Sequence, residues 1–317
     1  MEFALSEEQQ ELAATVRSLL AKRADPRVER YDAELWRTLC EQIGVASLAI
    51  PEEHGGFGAS SFETSVVLEE LGRHLVPSPL LSSVVTAEAL LAGADDDAKA
   101  RLLPRIAAGE VAALVDGDGP TLDGDLASIV VAVTDDGLFE VEGPETAWVP
   151  TMDQTIRLAT VSGGTRTRIG DGPAARGRAR LVGAVGCAAL ASGLAARALE
   201  MTVAYSRERV QFGRPIGSFQ ALKHRMADLL VLSEMSRSAS WAASYAVATH
   251  AEDAEQLAHV AKSYCCDALS TIAGETIQLH GGIAITWEHD AHLVFKRAHA
   301  LGRLFGSSRE HRALVTL

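Results

Sequence analysis

Apolar residues recur at helical spacing from the first turn onward. In "SEEQQELAATVRSLLAK" the positions Leu12, Val16 and the Leu19–Leu20 pair, with Leu5 just before it, fall on one face. Ser6 followed by Glu7, Glu8 and Gln9 has the form of a capped helix start. The three-and-four spacing returns in "SFETSVVLEELGRHLV", after the turn-rich stretch "LAIPEEHGGFGAS" at 48–60, and Pro77 and Pro79 are expected to end it. From about 113 to 175 the period shortens: "SIVVAVTDDGLFEVEG" holds two β-rich runs around Asp135-Asp136-Gly137, which predicts a hairpin, and "TIRLATVSGGTRTRIGDG" keeps the alternation. Helical spacing resumes near 178 and runs to the end, with breaks expected at 213–217, near 250, at 281–285 and at 306. The pattern therefore predicts a mainly α protein with a small β-domain, divided into helices over 1–112, a small sheet over 113–177 and a helical bundle over 178–317.

Composition narrows this picture. A chain of 317 residues with 47% apolar side chains can bury a large core. Its 29 Lys and Arg stand against 42 Asp and Glu, a formal charge of -13, which argues against non-specific attraction to nucleic acid or to an anionic membrane. The run "LVGAVGCAALASGLAA" at 181–196 is uncharged but Ala- and Gly-rich and closed by Arg197, so a buried bundle helix is expected rather than a membrane span. Cys40, Cys187, Cys265 and Cys266 lack zinc-site spacing and read as reduced core thiols. His289, His292 and His299 do not combine with acids at metal-binding intervals, so no metal is expected. The amphipathic, acidic N-terminus is unlike a signal peptide, and a cytoplasmic location is the expectation.

Candidate chemistry concentrates in two segments. In "RERVQFGRPIGSFQ" the glycines permit a tight turn, Pro215 forbids continuation of the preceding helix, and Ser218 is placed to cap a helix bearing Phe219, Leu222, Met226 and Leu229–Leu230 on one face. A helix start beside Arg209 and Arg214 suits a phosphate-bearing ligand; taken alone, the loop reads more simply as a helix–loop–helix with solvated arginines. The second segment is "IQLHGGIAITWEHDAHLVFKRA" at 277–298. Together they resemble the C-terminal helical domain of the acyl-CoA dehydrogenase family, with its Arg-x-x-Phe-Gly loop at Arg209 and Phe212-Gly213, its Phe219-Gln220 helix start and its Gln-x-x-Gly-Gly turn at Gln278, Gly281 and Gly282. "IPEEHGGFGASSFETSVVLEELGRHL" and the first helix resemble the same family's N-terminal half, so the likeness covers most of the chain. The resemblance implies FAD as cofactor, held across a subunit interface by Arg209, Gln211, Phe212, Phe219, Gln220, Gln278, Gly281 and Gly282. It also implies α,β-desaturation of an acyl-CoA thioester, with an electron-transfer flavoprotein or similar acceptor downstream.

The chain departs from the family at two places. Desaturation needs a carboxylate base for the α-proton. Of the two positions where family members carry it, one is Phe305, before Gly306-Ser307, and the other, counted back from Arg209, is Gly183. The middle domain is also short: "LVDGDGPTLDGDLAS" replaces the family's flavin-walling segment, and Trp148-Val149-Pro150-Thr151 echoes a second one faintly. These departures resemble the short subunits of heteromeric α2β2 acyl-CoA dehydrogenases, and imply a full-length partner that supplies the ring seat and the glutamate, on a substrate such as a steroid side-chain thioester. Two alternatives stay open: a self-sufficient homo-oligomer with a displaced acid, and a non-catalytic scaffold. For the displaced acid the candidates are Glu288 and Asp290, which otherwise sit in the first turn of a helix capped by Thr286. His280 beside the Gly-Gly turn is either a ligand contact or a hydrogen-bonded structural histidine. The basic run "ARGRAR" at 175–180 either meets a phosphate or forms a solvated linker, and Trp241 with Tyr245 marks one side of a packed helix.

Overall fold

The structure is a computed structural model, and it describes residues 4–316. Among the described residues five α-helices form the N-terminal part, α1 (Glu7–Arg23), α2 (Ala33–Thr38), α3 (Ser61–Arg73), α4 (Leu80–Gly93) and α5 (Asp96–Ala107), with a π-helical turn at Leu39–Ile43 and a 3-10 turn at Glu52–His54. Local chemistry sets their starts. Ser6 accepts from the Gln9 N–H while the Gln9 side chain bonds back to the Ser6 N–H, and Ser60 with Glu63 repeats this box at α3. Helix α3 ends at Arg73, ahead of the two prolines, because Leu75 turns left-handed (φ 54°), its N–H donating to the Gly72 carbonyl and the Val76 N–H closing the turn onto the Leu71 carbonyl.

Seven strands follow: β1 (Ala112–Asp116), β2 (Thr121–Leu122), β3 (Ile129–Thr134), β4 (Gly137–Glu142), β5 (Glu145–Val149), β6 (Leu158–Ser162) and β7 (Thr165–Gly170). The β3–β4 pair is the expected hairpin about Asp135-Asp136. The strands form two sheets, of order β1-β3-β4-β7 and β2-β6-β5. They share one bent antiparallel ribbon: Glu142 pairs with Thr165 on one side of the bend, and Glu145 with Ser162 on the other. Gly163 and Gly164, both left-handed, form the inside of that bend; a Cβ at Gly164 would lie 2.8 Å from the Glu142 carbonyl oxygen.

The long helix α6 (Gly172–Glu208) begins at Asp171, which caps Ala174, rather than near 178. The basic run 175–180 is therefore its first two turns and not a linker. Its cations are paired internally: Arg176 with Asp116 and Asp135, Arg178 with the buried Glu88 at 2.7 Å, Arg180 with Asp116 at 3.0 Å. A short hairpin, β8 (Val210–Gln211) and β9 (Arg214–Pro215), leads to α7 (Gln220–Ala248), α8 (Ala254–His280), α9 (Ala291–Leu301) and α10 (Ser308–Leu314).

Helix α6 is the axis on which the N-terminal helices and the C-terminal bundle both pack. It is long and apolar enough by composition to cross a membrane, yet 83% of its most apolar window is buried inside the fold. Small residues permit that burial. A Cβ on Gly193 would stand 1.8 Å from the Glu69 carbonyl oxygen, and one on Gly72 would stand 2.2 Å from that of Leu190, so α3 and α6 cross backbone to backbone. All four cysteines are free, three of them buried, and burial pushes the Cys187 thiol up to about 12, so it stays protonated.

A buried charge cluster ties the three parts together. Arg297 on α9 reaches Asp153 at 3.1 Å, the Thr155 hydroxyl and carbonyl oxygens at 2.7 Å each, and the Val76 carbonyl at 3.4 Å. Nearby, Ser82 of α4 donates to Asp123 at 2.7 Å, and Arg157 grips Asp125.

Candidate functional site

At the end of α6, Arg209 caps the helix and the chain doubles back in the β8–β9 hairpin. Phe212 (φ 53°) and Gly213 (φ 76°) form its two-residue turn, a left-handed pair that suits the twist of a tight hairpin. The hairpin returns onto α6 through Ile216 N–H to the Arg209 carbonyl at 2.8 Å, and Gly217 passes so close to Ser206 that a Cβ would lie 2.8 Å from its hydroxyl oxygen. Phe212 is left 92% exposed, its ring edge-on to Phe219 at 6.1 Å, while the Arg214 guanidinium lies 4.0 Å over the Phe219 ring.

The expected cap differs here. Ser218 donates back to the Pro215 carbonyl at 2.7 Å inside a short 3-10 turn, and Phe219, whose side chain makes no cap bond, is the N-cap of α7. The hairpin's return fixes Ser218 one residue too early to cap. Consequently, among the described residues, no side chain caps the first N–H groups of α7, at a helix end that carries positive partial charge. Arg209 and Arg214 are exposed and have no carboxylate within ion-pair distance among the described residues. Gln211 bonds only to the neighbouring Val210 carbonyl, and Gln220 lies at the helix start with its amide 3.5 Å from His224.

The second motif lies at the same end of the bundle. Tyr205, whose carbonyl accepts from the Arg209 N–H, stacks on His280 with ring centroids 4.5 Å apart. One residue on, α8 stops at Gly281 (φ 66°). Gln278, Gly281 and Gly282 are exposed, and a Cβ on either glycine would meet nothing within 4 Å, which leaves both backbones open to an approaching group. The fold thus gathers Arg209, Gln211, Phe212, Phe219, Gln220, Gln278, Gly281 and Gly282 around one end of α6, α7 and α8. His280 is buried; its Nδ1–H donates to the Thr276 carbonyl at 2.7 Å, its Nε2 has no partner among the described residues, and burial pulls its pKa down.

Elsewhere, Gly183 and Phe305, the two positions at which the sequence resemblance led one to expect a base, meet each other. A Cβ on Gly183 would lie 2.4 Å from Cδ1 of Phe305: the phenyl ring rests directly on the glycine. Two side chains hold the Phe305 turn through three hydrogen bonds. His311 Nε2 bonds the Phe305 carbonyl at 2.8 Å, and the fully buried Lys262 donates to the carbonyls of Gly306 at 3.0 Å and Leu301 at 2.9 Å. Phe305 forms part of the wall of a cleft of about 1000 Å³ between α4, the β1–β2 loop, the start of α6, α8 and α10.

The cleft's carboxylates are Asp116, Glu255 and Glu310. Asp116 is held by two arginines, Glu310 caps α10 through Ser307, and Glu255 stands beside His259 at 3.8 Å on the cleft rim. Glu288 is not among the cleft's residues; it is exposed in the 286–290 turn. Thr286 does not cap a helix either: it donates to the Ile283 carbonyl, and α9 starts only at Ala291, with Asp290 paired to Arg27 at 2.6 Å. Trp148 on β5 is half exposed under Arg157, and beside Thr151 lies an open hollow of about 480 Å³ walled by Met152, Ile156 and Leu158 on one side and Lys296, His299 and Arg303 on the other.

Residues 6–110 match the acyl-CoA dehydrogenase N-terminal domain and residues 170–316 the acyl-CoA dehydrogenase C-terminal domain. The chain belongs to the acyl-CoA dehydrogenase family. It is 47% identical over 313 residues to acyl-CoA dehydrogenase IpdE2 of Mycobacterium tuberculosis, covering 96% of this chain and 95% of that one. The IpdE2 of Mycolicibacterium smegmatis is 43% identical over 315 residues, covering 96% and 97%. Among solved structures, a chain of the ChsE4-ChsE5 complex from Mycobacterium tuberculosis superposes with a TM-score of 0.87 at 25% identity, covering 99% of this chain and 97% of that one. A chain of the Tcur3481-Tcur3483 steroid acyl-CoA dehydrogenase superposes with a TM-score of 0.85 at 28% identity, covering 98% and 96%. The family is FAD-dependent.

The residues at the α6–α8 end fit one part of FAD. Unpaired arginines, uncapped helix N–H groups and two open glycines suit a pyrophosphate, and Phe212 and Phe219 supply apolar rings. What the sequence alone did not reveal is Tyr205: its stack on His280 is what joins the two motifs, and nothing in its local sequence marks it.

Proposed function

We propose that this chain is the subunit of a heteromeric α2β2 acyl-CoA dehydrogenase that completes the FAD site of a full-length partner and carries no base of its own. One observation carries the reading: the two places where family members put the carboxylate are occupied by a phenyl ring packed on a glycine, while the cofactor-gripping end is intact and exposed. FAD, when bound, accepts the hydride from the β-carbon. Arg209 meets the pyrophosphate charge, Gln220 and Gln278 offer amide hydrogen bonds, Gly281 and Gly282 admit close backbone approach, and Phe212 covers an apolar face. The ring and the proton acceptor belong to the partner. The substrate is an acyl-CoA thioester with a bulky acyl group of the steroid side-chain kind, and an electron-transfer flavoprotein or similar acceptor removes the electrons. Likeness to one chain of a two-protein complex and to a steroid acyl-CoA dehydrogenase supports both parts of this reading.

Co-expression with a neighbouring full-length homologue, followed by flavin counting, tests it. The assembly is expected to hold half as many flavins as polypeptides. A yellow homo-oligomer of this chain that desaturates an acyl-CoA without a partner would overturn it.

A further inference from the structure

Between Gly281 and Ala291 the chain forms a strap, a 3-10 turn over Gly281–Ile285 followed by turn residues in which the Thr286 N–H bonds Ile283 and the His289 N–H bonds Thr286. Ala284 is buried at its near end, but its outer side chains, Ile285 and Trp287, are 74% and 63% exposed, so the stretch toward residue 290 packs less on the core. That stretch is tied from elsewhere. Arg27, in the loop after α1, bonds Asp290 at 2.6 Å through Nη1 and donates from Nη2 to the Trp287 carbonyl at 3.2 Å. The backbone of Arg27 is itself pinned, its N–H donating to Asp25 at 2.8 Å. Beneath the strap His280 lies between Tyr205 and His289, with ring centroids 4.5 Å from each. Lys296 sits 4.8 Å over the Trp287 ring, and His292 meets that ring edge-on.

The guanidinium thus clamps the far end of the strap, while its near end is the Gly281-Gly282 turn. A planar fork that bonds a carboxylate with one nitrogen and a carbonyl with another sets direction as well as distance. We propose that Arg27 is a positioning residue for the cofactor-gripping turn: by clamping residues 287–290 it holds Gln278, Gly281 and Gly282 in register with the Arg209 hairpin, and so sets affinity for the nucleotide half of FAD. This rests on the function proposed above. Arg27 touches no cofactor in this role.

The test uses Arg27→Ala and Arg27→Lys in the full-length chain and in the co-expressed complex, with Arg209→Ala as reference. Amide hydrogen exchange over 281–290 is expected to quicken roughly three- to tenfold in Arg27→Ala, a modest range because the pair is a third exposed. FAD is expected to leave the complex faster by a similar factor. The denaturation midpoint should stay unchanged, and Arg27→Lys should restore part of both effects, since it keeps a cation at Asp290 and loses the fork. Unchanged exchange over 281–290 in Arg27→Ala overturns the inference. So does faster exchange with FAD release unaltered while Arg209→Ala still loses FAD. If Arg209→Ala retains FAD as well, the proposed function falls together with it.

Discussion

Asp123 offers a sharp test of how the buried polar cluster works. It is 4% exposed, with Ser82 donating to it at 2.7 Å and Arg297 and Arg157 near enough to attract its charge. Burial outweighs these partners, with Asp125 adding repulsion, and pushes its carboxyl up from 3.8 to about 7. The sign follows from proton binding. Between the unfolded value near 3.8 and the folded value of about 7 the folded state keeps the proton and the unfolded state loses it, so the stability Asp123 contributes falls as pH rises through that window. At about 1.4 kcal/mol per pH unit, the portion between pH 5 and pH 7 comes to about 3 kcal/mol. Asp123→Asn removes the titration while keeping the shape, an acceptor for Ser82 and a residue type tolerant of the left-handed backbone found there (φ 55°). Urea denaturation of both proteins at pH 5, 6, 7 and 8 is the assay. The unfolding free energy of the Asn variant minus that of the parent should rise by about 3 kcal/mol from pH 5 to pH 8, flattening above pH 7. A difference constant with pH, or one that falls, would refute the reasoning; a fixed offset beneath the rise would mean only that the Asn amide lacks a partner.

Arg297→Ala strands Asp153, which is 1% exposed, without its counter-charge, and is expected to cost about 3–5 kcal/mol in urea at pH 7. A loss below about 1 kcal/mol would show that the cluster is not what ties α9 to the β-domain. Gly183→Ala places a methyl 2.4 Å from the Phe305 ring and should destabilise by about 1–3 kcal/mol. Phe305→Ala in the same chain should relieve that strain, and simple additivity of the two changes would count against the contact.

Helix starts were legible in the sequence because a capping box is local: Ser6 with Gln9 needs only the chain between them. Breaks at 213–217, near 250, at 281–285 and at 306 followed from Gly, Pro and loss of period in the same way. Ser218 shows the limit of such reading. It has a capping side chain at a plausible place, but the return of the hairpin onto Arg209 shifts the helix start to the next residue. The basic run 175–180 looked solvated since its partners, Asp116, Asp135 and Glu88, lie far away in sequence.

By itself the sequence determined the order of helical, β and helical segments and the likeness to the family's motifs, with Phe305 and Gly183 where a carboxylate was expected, for each depends on residue type and near-neighbour spacing. Only the tertiary structure decided that Phe305 and Gly183 form a single contact, that Tyr205 joins the Arg209 hairpin to the Gly281 turn, that one bent ribbon serves two sheets, and that Arg27 clasps a strap near the opposite end of the chain. Such pairings are settled by packing and charge between segments distant along the chain, and local pattern carries no term for them.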